Sequence, residues 1–414
     1  MPERRRGVSR RQVIAGFFVF LGLLLLWAYV PQLGAADPAT TKLAFGLPDP
    51  VVTVPTALSL TLIGALFLVS GGLGFVERAE RVATGLLWSS GVLIIPAILI
   101  WAAAGKQTNV TALFGEALRL STPIALGAIA GIWAERSGVI NIAIEGMMLT
   151  GAAFGFAAFI FTGSIWFGVF AAVFLGGLIS LLHGLLSITF RTDQIISGTV
   201  INILAIGVTG YLRRQYMVEQ GGGRVTLPTI ELPLLSDLPL LGTVLFTGKP
   251  IFYTMLLMVV ISHLILFFTR WGLRTRAVGE NPKAADTVGI NVNRMRYFSV
   301  LISGMIAGLG GAWFSLETVG NFDDGMTAGK GFIALAAMIF GKWMPFGAFG
   351  GALLFGFAEA LGVRFQILSV EIAGSPVPTQ FLQIVPYVLT MVVLAGLIGR
   401  AVAPAAVGKP YEKQ

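Results

Sequence analysis

The sequence predicts an all-α, polytopic membrane helical bundle of about 10–12 segments, some of them short, Gly-interrupted half-helices. Three observations predict it. The 414 residues are 56% hydrophobic and only 12% charged, with a mean hydropathy of +0.85, whereas soluble domains carry about twice that charged fraction. Apolar runs of roughly 20 residues, enough to cross about 30 Å of hydrocarbon as helix, recur along the chain. The basic residues sit at the ends of those runs rather than in a stripe interleaved with aromatics. The net charge of +8 therefore reads as membrane topology and not as a surface for a nucleic acid polymer.

The first run, about 13–30, follows Arg4, Arg5, Arg6, Arg10 and Arg11. A secretory signal has the same order of basic flank and apolar run, and Gly34-Ala35-Ala36 is a weak cleavage site. The run is nevertheless longer than the roughly 7–15 residues of a signal core. Runs near 54–76 and 82–104 follow, joined through Glu77-Arg78-Ala79-Glu80-Arg81. Further runs lie near 116–134, 142–161, 165–190, 194–212, 250–270, 297–317, 330–341, 346–365 and 380–400. Threaded alternately from a cytoplasmic N-terminus, they place 77–81, 190–193, 270–296 and the C-terminal tail inside, and 31–52, 213–249 and 366–378 outside. Roughly two thirds of the Lys and Arg residues then lie inside, as the positive-inside rule requires. Both termini are expected in the cytoplasm. The segment 213–249, with Gly221-Gly222-Gly223 and Pro228, Pro233 and Pro239, reads as an extracytoplasmic cap. No strand periodicity competes with the helical reading.

The absence of cysteine excludes disulfides, thiolate metal sites and a cysteine nucleophile. With only His183 and His263 available, no metal site is expected. No G-x-x-x-x-G-K-[ST] phosphate loop occurs, since Gly248-Lys249-Pro250 and Gly341-Lys342-Trp343 lack the Ser or Thr. No HExxH and no Ser-His arrangement supports an intramembrane enzyme.

The inside loop 270–296 predicts a short helix lying outside the membrane. Asn281 suits an N-cap, Pro282 the first helical position, Ala284 and Ala285 a turn or two, and Gly289 the stop. Small side chains at Ala284 and Ala285 let a partner approach the backbone, while Arg274, Arg276 and Lys283 meet acidic groups. The run Arg276-Ala277-Val278-Gly279-Glu280-Asn281-Pro282, then Ala284-Ala285 and Gly289-Ile290-Asn291-Val292, resembles the coupling loop of ATP-binding-cassette importer permeases that serve simple sugars, branched-chain amino acids and nucleosides. The stretch Ala134-Glu135-Arg136-Ser137-Gly138-Val139-Ile140-Asn141-Ile142-Ala143-Ile144-Glu145-Gly146-Met147-Met148 is similar to the signature of the nucleoside and simple-sugar branch. The resemblance covers roughly residues 115–400, leaving 1–114, with three spans, as a variable N-terminal region and 401–414 as a cytoplasmic tail.

The resemblance implies a division of labour in a prokaryotic inner membrane. Separate cytoplasmic ATPase subunits bind and hydrolyse ATP, an extracytoplasmic lipoprotein captures the solute, and a second permease, a paralogue, supplies the other half of the pathway. This chain then needs no cofactor and is no enzyme. Its ATPase-coupling residues are expected to be Arg276, Gly279, Glu280, Asn281, Pro282, Ala284, Ala285 and Gly289. Nucleosides are the first substrate expectation, simple sugars the second and branched-chain amino acids the third. An ion-coupled secondary transporter is the alternative class, and the coupling loop argues against it.

Polar residues at membrane depth face a bundle interior or a wet cavity rather than lipid. Asn141 and Glu145, four apart, share a helix face, and Gly138 permits a break beside them. The interrupted stretch 329–351 is a second such segment, and paired broken segments point to transporter sites. Asn141, Glu145, Asn202, Trp313 and Phe332 are the substrate-pathway candidates. His183 and Asn202 suit helix-to-helix hydrogen bonds as well as pathway lining. Asp193 suits an N-cap. Glu317, Asp323 and Asp324 fall at the outer surface, as a solvated rim or a docking contact, and Glu359 lies within an apolar run. Trp133, Trp313 and Phe332 are flat enough to stack on a planar solute, or to serve as packing.

Overall fold

The computed structural model describes residues 9–35, 38–46, 51–218, 225–238, 241–369 and 401–413, with isolated residues between 371 and 384. The expected span near 380–400, Arg4 to Arg6, Gly221-Gly222-Gly223 and Pro239 lie outside the described residues. Fourteen helices run in chain order. They are α1 (Arg10–Tyr29), α2 (Thr56–Gly74), α3 (Glu80–Ala102), α4 (Val110–Glu135), α5 (Ile144–Thr162), α6 (Ile165–Gly184), α7 (Gln194–Leu212), α8 (Leu241–Leu245), α9 (Pro250–Phe268), α10 (Arg270–Glu280), α11 (Pro282–Thr287), α12 (Val292–Ala312), α13 (Lys330–Phe340) and α14 (Pro345–Ile367). Among the described residues, ten helical stretches are long and apolar enough to cross a membrane, and α13 is a shorter apolar helix. The chain is an all-α, multi-pass membrane helical bundle.

It divides into two compact units, Met1–Phe114 with Leu361–Ile398, and Gly115–Ala360 with Gly399–Gln414. In the first unit, Ser9 and Gln12 form a capping box that starts α1. Gly22 and Gly64 let α1 and α2 meet backbone to backbone, since a Cβ at Gly22 would stand 2.7 Å from the Leu68 amide nitrogen. The Ser70 and Ser90 hydroxyls join α2 to α3 at 2.8 Å. This unit also holds a sheet of order β2-β1-β3, formed by Thr40–Ala44 (β1), Val51–Pro55 (β2) and Gln107–Asn109 (β3). Strand β1 pairs antiparallel with β2 and parallel with β3. The sequence reading expected no strands. The β-branched run Val51-Val52-Thr53-Val54 opposite Thr40 and Thr41 suits a pleated pair despite its brevity.

The second unit is built on α5, α6 and α12, whose contact faces are glycine-lined. A Cβ at Gly151 or at Gly176 would stand 2.7 Å from the Gly308 Cα, and one at Gly155 would stand 2.9 Å from the Ala172 Cβ. Lipid tails are as apolar as Leu, so helix association in a bilayer depends on such close van der Waals approach. The core around this seam includes Leu126, Ile129, Met147, Met148, Ala172 and Leu316.

The unit has two polar ends. At one, here the loop end, lie the α4–α5 break, the α6–α7 turn, α10, α11, the α13–α14 turn and residues 401–413, tied by Gly408 N to Gly138 O at 3.1 Å and Ala406 N to Gly279 O at 2.9 Å. At the far end, the stretch after α7 meets the stretch after α12, with Arg213 paired to Asp323 at 2.7 Å. There Leu227 N also donates to Leu316 O at 2.9 Å.

Candidate functional site

At the loop end the polypeptide makes two helices in succession, each started by its own side-chain cap. Thr269 accepts from Gly272 N at 3.1 Å and opens α10. Asn281 accepts from Ala284 N at 3.1 Å and opens α11, with Pro282 at its first position. Gly289, at φ +83°, ends that turn, and Asn291 opens α12 by accepting from Arg294 N at 2.9 Å. The expected short helix is therefore present, and α10 is an additional one. Its buried face is Gly272, Thr275, Val278 and Gly279, a helical spacing written mostly in small and polar residues.

The coupling candidates divide into two groups. Ala284 is exposed, as are Lys283, Glu280, Asn281 and Gly289, while Pro282 is half-buried. Ala285 is instead buried, packed with Val278, Val292, Met295 and Tyr411, so the expectation that it meets a partner surface is corrected. Gly279 also faces inward, where a Cβ would overlap the Arg136 carbonyl oxygen. Arg276 and Arg136 stand over the same ring, Phe267, at 5.0 and 5.4 Å from its centroid. Burial, and then the neighbouring charge of Arg276, push the Arg136 guanidinium below its ordinary pKa. The Glu280 carboxylate accepts from Ala405 N at 3.1 Å.

Residues 401–412 cross this end as a strap. Arg296, 1% exposed, donates from Nε to Ser137 O at 3.3 Å and from Nη1 to Lys409 O at 3.1 Å. Arg191 pairs with Glu412 at 2.5 Å.

Above the loop end, the α4–α5 break leaves backbone groups that side chains from three helices satisfy. Gly138 takes φ +92°, a conformation that glycine adopts without strain. Ile140 N donates to Gln194 Oε1 at 2.7 Å, and Ile140 O accepts from His183 Nε2 at 2.8 Å. His183 Nε2 therefore carries the proton, and Nδ1 accepts from the Ser197 hydroxyl at 3.1 Å. Asn202 donates to Ile142 O at 3.0 Å and accepts from Gly146 N at 2.8 Å. Asn141 donates to Ser303 Oγ at 2.8 Å, and its Oδ1 is buried without a partner.

The second broken segment mirrors this arrangement. After α12 the chain turns back, and α13 begins at Lys330 and returns to the loop end. There Lys342 and Trp343, both at positive φ, are held by the first break. Trp343 Nε1 donates to Glu135 at 2.6 Å, and Arg136 Nε donates to Trp343 O at 3.0 Å. At the start of α13, the Glu145 carboxylate accepts from the Thr327 hydroxyl at 2.6 Å, Gly329 N at 2.8 Å and Gly331 N at 2.6 Å. It closes a helix N-terminus supplied by a distant part of the chain. Glu317 does the same for α9, accepting from Ile251 N at 2.6 Å and Phe252 N at 3.2 Å. Glu317 is 3% exposed, which corrects its expected place on the outer rim, whereas Asp323 and Asp324 are exposed. Asp193 is the N-cap of α7, accepting from Ile195 N and Ile196 N.

Of the pathway candidates, Asn141, Glu145, Asn202 and Trp313 are thus buried in the bundle. Trp313 packs edge-on against Phe314, and Trp133 donates to Ser262 Oγ at 3.0 Å. Phe332 alone among the five is exposed, at 48%. Beside it is a pair that the sequence reading did not assemble, Lys330 and Glu359, at 2.8 Å. The signal for it was a Lys between two glycines at the head of an apolar run, 29 positions before a Glu inside another.

Residues 113–401 match the family described as branched-chain amino acid transport system / permease component. The chain is 40% identical over 332 residues to the guanosine ABC transporter permease protein NupQ of Bacillus subtilis, covering 78% of this chain and 97% of that one. It is also 40% identical over 306 residues to the nucleoside permease protein NupC of Lactococcus lactis, covering 71% and 94%. TsgC13 of Haloferax volcanii, provisionally named a glucose ABC transporter permease protein, is 33% identical over 322 residues, covering 73% and 98%. No solved structure matches. The two broken segments, the loop helices and these likenesses converge, and the chain belongs to the branched-chain amino acid transport system permease family as a membrane-spanning permease subunit of an ATP-binding-cassette importer.

Proposed function

We propose that this permease carries nucleosides inward, with its loop end in the cytoplasm and α11 as the element that seats on the ATPase subunits. The nucleoside reading is carried by the 40% identity to a guanosine permease over nearly that protein's whole length. Simple sugars are the second reading, favoured by the 33% identity to the protein named for glucose. The seating of α11 is supported by its outward Lys283 and Ala284, where small residues permit close approach, and by its inward Ala285, which ties it to α10 and α12. ATP binding and hydrolysis occur in separate subunits, so this chain needs no cofactor. An extracytoplasmic solute-binding lipoprotein delivers cargo at the far end, a paralogous second permease completes the passage, and both termini lie in the cytoplasm of a prokaryote.

ATP-driven uptake into proteoliposomes holding the permease pair and its ATPases, with the cognate binding protein supplied outside, tests the reading. Labelled guanosine is expected to accumulate. Uptake of glucose with none of guanosine would replace the solute. Uptake that follows an ion gradient without ATP would remove the coupling role.

A further inference from the structure

The eleven residues of α13 rise about 16 Å from the loop end, at about 1.5 Å each. Lys330 therefore stands near the middle of a hydrocarbon layer about 30 Å thick. Its ammonium lies 2.8 Å from Glu359 on α14, and the two side chains are 12% and 29% exposed. A charged pair that is partly open at this depth faces water in a cavity rather than lipid, because charge in hydrocarbon is costly. Phe332, on the next residue but one, presents an exposed ring beside it.

The charges at this place are already answered from within. In transporters built from broken helices, the positive end of a half-helix receives an anionic group of the cargo. Here the N-terminus of α13 is closed by the Glu145 carboxylate through Thr327, Gly329 and Gly331. The one cation at the head of the helix, Lys330, is neutralised by Glu359. A carboxylate or phosphate arriving here would find no unpaired positive charge and would have to displace a bonded one.

From this we infer that Lys330, Phe332 and Glu359 line the solute passage and that the passage is built for an uncharged solute combining a flat ring with hydroxyl groups. The ring lies on Phe332. Solute hydroxyls donate to the free lone pairs of Glu359 and accept from the remaining ammonium protons of Lys330. The inference rests on the transport reading above and narrows it, disfavouring amino acids and nucleotides as cargo.

The chain contains no cysteine, so Phe332→Cys places a single thiol in this subunit. The variant, assembled with its partners in proteoliposomes, is treated with membrane-impermeant methanethiosulfonate ethylsulfonate or with lipid-soluble N-ethylmaleimide, with and without millimolar guanosine, and guanosine uptake by the unaltered transporter is measured alongside. The expected result is modification by the impermeant reagent, slowed several-fold by guanosine and not by guanosine monophosphate or leucine. Modification by N-ethylmaleimide alone, which also shows that the thiol is present and folded, would place the position against lipid and overturn the inference. So would protection that disappears only when the partner permease is left out, or equal protection by leucine. If the unaltered transporter moves guanosine while the thiol behaves in any of these ways, the inference fails and the transport reading stands. If the unaltered transporter does not move guanosine, the transport reading fails and takes the inference with it.

Discussion

The Glu145 carboxylate accepts the Gly331 amide at 2.6 Å, so a side chain at the head of one broken helix closes the head of the other. Glu145→Gln keeps the shape but replaces one accepting oxygen with a donor, leaving a buried N–H of α13 without a partner. A loss of about 1–3 kcal/mol is expected, read as a lower melting temperature in nanodiscs together with reduced ATP-driven uptake. An unchanged melting temperature would show that the half-helix does not depend on this carboxylate.

The glycine seam gives a second contrast. Gly308→Ala would put a methyl group into the Ala172 carbonyl oxygen, and overpacking of this kind costs about 1–3 kcal/mol. Gly207→Ala in α7 meets open space and gains up to about 1 kcal/mol of helix propensity. Unfolding in detergent should rank Gly207→Ala at or above the unaltered chain and Gly308→Ala clearly below it. Equal behaviour would refute the seam.

Two adjacent alanines separate docking from folding. Ala284→Trp adds bulk on the exposed side of α11 and is expected to abolish copurification of the ATPase subunits while leaving the melting temperature within a degree or two. Ala285→Trp forces an indole into the buried cluster with Val278 and Tyr411 and is expected to lower the melting temperature directly. ATPase subunits retained in full by Ala284→Trp would rule out α11 as their seat.

The strap across the loop end should loosen when its buried anchor is removed. Arg296→Ala deletes the donor to Lys409 O, so the amides of Ala405, Ala406 and Gly408, which donate to Glu280, Gly279 and Gly138, should exchange with deuterium faster. Exchange at those three positions equal to the unaltered chain would mean that the strap is held without the arginine.

Local chemistry was readable in the sequence. The Asn281 cap, Pro282 behind it, the stop at Gly289 and the Asp193 cap each depend on neighbours within a few residues, and each stands where the residue types require. The spans were readable because their length is set by the bilayer. Helix α10 escaped because its buried face uses Gly272, Thr275 and Gly279, which carry no apolar signal. The partners of Glu145 and Glu317 escaped for another reason. Glu145 meets Thr327 across 182 positions and Glu317 meets Ile251 across 66, and no local pattern announces a cap supplied from so far away. Ala285 was assigned the wrong face because a single helical turn has too few residues to display an amphipathic period.

The seam of Gly151, Gly155, Gly176 and Gly308 carries a consequence for how the transporter moves. Shear between packed helices needs a layer of side chains that can switch rotamers as the helices slide. Where backbone rests on backbone no such layer exists, so α5, α6 and α12 travel as one rigid body. The rearrangement that opens the passage to each side in turn must then fall on the chain around them. Its natural hinges are Gly320, Gly325 and Gly329, all at positive φ between α12 and α13.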